Sequence, residues 1–80
     1  MSDEEVLYQS PMLYRMIREG SGGLVIEVVV GGFAMTTVRV RLDAAESDAY
    51  AREGRAYSDR LAKAITARPA YDGRAYEVPE

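Results

Sequence analysis

One run of residues, Leu24-Val25-Ile26-Glu27-Val28-Val29-Val30, constrains this chain more than any other. All but Leu24 and Glu27 are β-branched, on both parities, which is the composition of a strand covered on its two faces. The run predicts the central strand of a sheet. Gly31-Gly32 follows at once, and two glycines between β-favouring segments suit a two-residue hairpin turn that needs positive φ. Phe33 to Leu42 then reads as a further strand. On the other side, Met12 to Glu19 interleaves Leu, Tyr and Ile with Arg15 and Arg18, and ends at Gly20-Ser21-Gly22-Gly23. That is a strand running into a hairpin loop.

After the strands the period changes. Asp43-Ala44-Ala45-Glu46 offers an N-cap acceptor with a carboxylate three residues later, which opens a helix, and Arg68-Pro69 closes it. Tyr50, Gly54, Tyr57, Leu61 and Ile65 recur at helical spacing as one apolar stripe. Asp48 with Arg52, Arg55 with Asp59, and Asp59 with Lys63 stand at i,i+4 on the other side. Gly54 on the stripe suggests a close approach of the helix backbone to the strands. Beyond Pro69, Tyr71-Asp72-Gly73 reads as a turn and Arg74 to Val78 as a short last strand, with Pro79 suiting an edge. Residues 1–11, with capping-box spacing between Ser2 and Glu5 and a stop at Ser10-Pro11, read as an N-terminal arm or a single helical turn. Residues 12–80 read as one domain. The expected fold is α+β, a mainly antiparallel sheet of three to four strands in β-β-β-α-β order, with one principal amphipathic helix packed on one face.

Composition removes several kinds of chemistry. The 80 residues contain no cysteine and no histidine, which excludes disulfides, thiolate zinc sites, imidazole bases and Cys/His nucleophilic pairs. No cofactor, metal or catalytic residue is assigned. A net charge of -3 disfavours a nonspecific nucleic-acid binder, which needs an excess of Lys and Arg. The opening Ser2-Asp3-Glu4-Glu5 is acidic where a secretory leader is basic, and the longest apolar run is far shorter than the ~20 residues of a membrane span. A cytoplasmic protein is expected.

Individual motifs point mostly to structural roles. Gly20-Ser21-Gly22-Gly23 lacks the helix and the Lys-Ser/Thr of a phosphate-binding loop. Asp43, Glu46 and Asp48 could ligate a hard cation, but carboxylates in a first turn serve a helix dipole. Glu27, set among valines, is the candidate for acid-base work, against which stands an ion pair with Arg18, diagonal to it on the same face. Six tyrosines form the most unusual enrichment, and tyrosine with arginine is favoured at protein interfaces.

A four-residue loop pairing Glu19 with Leu24 places Glu27 opposite Met16, and a two-residue turn pairs Val30 with Phe33. That register leaves about eight apolar side chains on each sheet face, and one helix covers only one face. The expected function is therefore a non-catalytic protein-binding module, with an immunity or antitoxin-type inhibitor of a toxin as its most specific form. Its partner is expected to be a toxin-like protein or a second copy in a homodimer. Interface candidates are Tyr14, Val28, Phe33, Met35, Arg39, Arg41, Tyr71 and Tyr76. The alternatives are a dimeric anion-binding regulatory domain using Arg15, Arg39 or Arg41, and a small enzyme using Glu27. The partner, the covered face and the place of the last strand stay open at this level.

Overall fold

A computed structural model describes residues 4–10, 14–30, 36–68 and 70–77. Strands β1 (Glu5–Gln9), β2 (Tyr14–Arg18), β3 (Leu24–Val30) and β4 (Thr36–Arg41) precede helices α1 (Ala44–Glu53) and α2 (Arg55–Ala67). A 3-10 turn over Tyr71–Gly73 leads to the two-residue β5 (Tyr76–Glu77). The strands form one antiparallel meander in the order β1-β2-β3-β4-β5. The α+β class, the antiparallel sheet and the central place of residues 24–30 are as the sequence indicates. No described helix is long and apolar enough to cross a membrane.

The N-terminal segment departs from its reading as an arm or a helical turn. Glu5–Gln9 pairs along β2 as an edge strand, because an isolated helical turn is costly to nucleate whereas β2 offers an open ladder. A bulge between Val6 and Tyr8 lets both Leu7 and Tyr8 pack against the core.

Register is the larger correction. In the β2–β3 hairpin, Gly22 adopts φ 96°, the Gly22 N–H donates to the Glu19 carbonyl at 2.8 Å, and the Glu19 N–H donates to the Gly23 carbonyl at 2.8 Å. The loop is thus three residues, closed by a glycine in the left-handed region, and not four. Arg18 pairs with Leu24, and Glu27 stands opposite Arg15, not Met16. On the other side Val30 pairs with Thr36, where a two-residue turn would have paired it with Phe33. Gly31, Gly32, Phe33 and Met35 lie outside the described residues.

A slip of one residue exchanges the faces of a strand. The observed register gathers Tyr14, Met16, Ile26, Val28, Val30, Val38, Val40 and Leu42 into one buried cluster with Leu61, Ala62 and Ile65 of α2. Burying a side chain such as Leu61 or Ile65 is worth ~1.5–3 kcal/mol, so this single layer holds the helix to the sheet. Tyr14 also ties the layers by polar contact. Its hydroxyl donates to Asp59 and lies 2.8 Å from the Ser58 hydroxyl, and no buried side-chain polar atom among the described residues lacks a partner.

The helical segment carries the expected capping box, with the Glu46 N–H donating to Asp43 at 2.8 Å and the Asp43 N–H donating to Glu46 at 2.9 Å. Tyr50 and Tyr57 pack against the core as the stripe requires. The helix is nevertheless broken at Gly54, which has φ 63° and ψ -133°. A Cβ there would meet nothing within 4 Å, so Gly54 serves a backbone bend and not a close approach. The expected i,i+4 partners are also used differently: Asp59 accepts from Tyr14, and the Arg55 guanidinium lies over the Tyr8 ring.

Candidate functional site

The helices and their core occupy one sheet face, and the other face presents a continuous row. Gln9 pairs with Arg15, Arg15 with Glu27, Glu27 with Arg39, and Arg39 with Tyr76. Residues paired across a sheet point to the same side, so every strand contributes one polar or aromatic side chain to a line crossing the face that no described helix covers, the open face. Beside it runs a second row, Val6, Ile17, Val25 and Arg41. Val29 and Thr37 stand on the other flank.

The row is knitted by charge. The Glu27 carboxylate accepts from Arg15 Nε at 2.8 Å through one oxygen and from Arg39 Nε at 2.9 Å through the other. Arg39 also gives Nη1 and Nη2 to the two oxygens of Glu4, at 2.8 and 3.3 Å. Side-chain exposure falls to 12% at Glu27 and 16% at Arg39, which strengthens these contacts relative to exposed pairs. The Arg39 pKa is raised, chiefly by Glu4 and, against the cost of burial, by Glu27. Arg41 reaches out from the second row to Glu19 at 3.1 and 3.2 Å, and its side chain remains 64% exposed. Ile17 and Val25, cross-strand neighbours on this face, are 1% and 0% exposed, although α2 packs on the opposite side. Among the described residues, the long side chains of Arg15, Glu27, Arg39 and Arg41 flank them, and aliphatic stems of such residues cover apolar surface well.

A second polar cluster joins α1 to the C-terminal segment. Glu46 accepts from Tyr71 Oη at 3.0 Å and from both terminal nitrogens of Arg74, at 3.1 and 2.5 Å, while Arg74 also donates to the Arg41 carbonyl at 2.7 Å. Burial pushes the Glu46 carboxyl up, but Arg74, the Asp43 N–H and Tyr71 together outweigh it and leave its pKa lowered. Burial and the hydrogen bond to Glu46 push the Tyr71 hydroxyl up to about 12. The Tyr71 hydroxyl and both terminal nitrogens of Arg74 thus tie the 3-10 turn, where Tyr71 and Asp72 have positive φ, to α1 and β4.

The interface candidates are dispersed by this arrangement. Tyr14 and Val28 lie in the core beneath α2, because the true register turns them to the helix side, so they are not available to a partner of the folded chain. Arg39 and Arg41 are on the open face, and Tyr76 ends its row with 43% exposure. Tyr71 is half-buried against Glu46. The arginines considered for an anion, Arg15, Arg39 and Arg41, do share a face, but each is matched to a glutamate. Each Glu27 oxygen accepts from a guanidinium donor, the arrangement of a structural ion pair. Asp43 and Glu46 are occupied by the capping box and by Arg74, and among the described residues no group of three carboxylates could hold a metal ion.

Glu4 and Gln9 belong to the site and were missed, because residues 1–11 read as a lead-in. Val6, Leu7 and Tyr8 were the signal for a strand there. Two depressions, about 460 Å³ along Ala45, Asp48, Ala51 and Arg52 and about 270 Å³ along Ala62, Lys63, Thr66 and Ala67, bring together no acid-base pair. Comparison with protein-family models, with curated proteins and with solved structures finds no match.

Proposed function

We propose that the chain is a non-catalytic protein-binding module that docks another protein on its open sheet face. The observation that carries this reading is the row Gln9, Arg15, Glu27, Arg39 and Tyr76, one residue from each of the five strands, on the face away from the helices. Arginine and tyrosine are the side chains that most often anchor protein interfaces. Here Arg15 and Arg39 are held in place by Glu27 before any partner arrives, which lowers the entropy lost on binding.

The same geometry bears on the kind of complex. Strand spacing and rise give the open face an area of roughly 400 Å², about half of the ~800 Å² per partner in a standard interface. Of its apolar side chains, Ile17 and Val25 are already buried, while Val6 and Val29 are exposed. Among the described residues this face gathers no large apolar patch, and that favours a polar, reversible complex with a different protein over an obligate homodimer. An inhibitor that occludes a toxin-like protein is one role of this type.

Photo-crosslinking tests the reading. Benzoylphenylalanine placed at position 29 or 37 is expected to trap a discrete protein adduct in cells that make this chain, and the same group at position 63, on the outer side of α2, is not. Adducts from position 63 alone, or none from any position, would contradict it.

A further inference from the structure

Arg39 holds two carboxylates, and they differ in kind. Glu27 is its cross-strand neighbour. Glu4 lies just before β1, at the far edge of the sheet, with β2 and β3 between it and β4. Even so, its two oxygens sit across the terminal nitrogens of Arg39 at 2.8 and 3.3 Å, the paired geometry in which guanidinium best recognises a carboxylate. Without Glu4, the group Arg15, Glu27 and Arg39 carries one net positive charge and presents a fork of donors on the open face. The sheet thus has a place for one carboxylate that it does not supply from its own rows.

We infer that this place is a receptor for an acidic peptide segment of the partner, and that Glu4 is the occupant in cis which the partner's carboxylate displaces. This rests on reading the open face as a docking surface, and it adds the partner's chemistry. Glu4 keeps a third of its side chain exposed, so an incoming carboxylate can reach the fork from solvent and compete for it. Val6 and Val29, the exposed apolar side chains of the face, suit a carboxylate flanked by apolar residues. A nucleic-acid strand fits poorly. Glu19 and Glu27 stay on the face after Glu4 leaves and would repel successive phosphates, whereas a single carboxylate restores neutrality.

Fluorescence anisotropy with the full-length protein tests this, using labelled Gly-Ser-Asp-Glu-Glu-Val-amide and its Asn/Gln counterpart as probes. Glu4→Gln empties the fork while keeping the side chain's size, and circular dichroism checks that each variant is folded. The acidic peptide is expected to bind Glu4→Gln roughly three- to fivefold more tightly than wild type, the equivalent of one exposed ion pair. Adding Arg39→Lys, which keeps the charge but not the fork, should reverse the gain, and 0.5 M salt should weaken binding. Equal binding by wild type and Glu4→Gln, no binding by either, or equal binding of the Asn/Gln peptide would overturn the proposal, and tighter binding of a ten-residue oligothymidylate would assign the fork to phosphate instead. If cross-links at positions 29 and 37 persist while the peptide results fail, the docking face stands and the acidic occupant does not. If the cross-links are also absent, both fall.

Discussion

Replacing Gly54 with L-alanine separates a broken helix from a continuous one by the sign of its effect. In a continuous helix the change would stabilise the protein by ~1 kcal/mol, because glycine is the poorer helix former by that amount. At φ 63° and ψ -133° an L-residue instead carries ~1–3 kcal/mol of backbone strain. Against this stands ~0.4–1 kcal/mol gained by restricting the unfolded chain. Space is not at issue, since a Cβ meets nothing within 4 Å. The net expectation is a loss of ~1–2 kcal/mol, or roughly 4–15 °C in Tm for a domain of this size. Urea and thermal unfolding followed by far-ultraviolet circular dichroism measure it. D-alanine, whose preferences are the mirror image, should be more stable at this position than L-alanine. An L-alanine variant as stable as the parent, or more so, would refute the bend.

Three further outcomes follow from the polar contacts. Tyr14→Phe should cost ~1–3 kcal/mol at neutral pH, because it removes the partner of Ser58 and Asp59. Burial and the hydrogen bond to Asp59 push the Tyr14 hydroxyl up to about 12 from 10.0, so its contribution is complete below pH 10 and is lost as pH rises through 12. Stability measured across that window should therefore fall less steeply in Tyr14→Phe than in wild type. Glu46 has the opposite sign: its lowered pKa means stability that is present above the ordinary carboxylate value of 4.5 and lost as pH falls through the folded value, so Glu46→Gln should lower stability at pH 7 and flatten the acid limb of an unfolding series. Glu27→Gln leaves Arg15 and Arg39 without their shared carboxylate, and a drop of ~1–3 kcal/mol in urea unfolding is expected; an unchanged midpoint would mean the row is not held by charge.

Local signals in this chain were legible where a few adjacent residues decide the outcome. Asp43 and Glu46 form their capping box, the stripe from Tyr50 to Ile65 faces the core, and Tyr71-Asp72-Gly73 turns the chain. What could not be read were outcomes decided by one residue's φ or by a remote partner. Gly22 closes its loop in the left-handed region, which shortens the turn by one residue and moves Glu27 from Met16 to Arg15. Gly54 bends a segment whose apolar spacing is that of an unbroken helix. Glu5–Gln9 becomes a strand only because β2 lies free beside it. The candidate site inherits these errors. Arg39 and Arg41 reach the open face but Tyr14 and Val28 lie on the other, and Glu4 is not legible in sequence because its partner lies 35 positions away.

The sheet register carries the rest of the account, since it decides whether the open face is a charged row or an apolar patch. Backbone and side-chain nuclear Overhauser effects on isotopically labelled protein measure it directly. Cross-strand contacts of Glu27 with Arg15 on one side and Arg39 on the other are predicted, together with Tyr14 to Val28 and Val30 to Thr36. Contacts of Glu27 with Met16 and of Val30 with Phe33 would contradict it, by dissolving the row and returning an apolar surface to the face on which we place the partner.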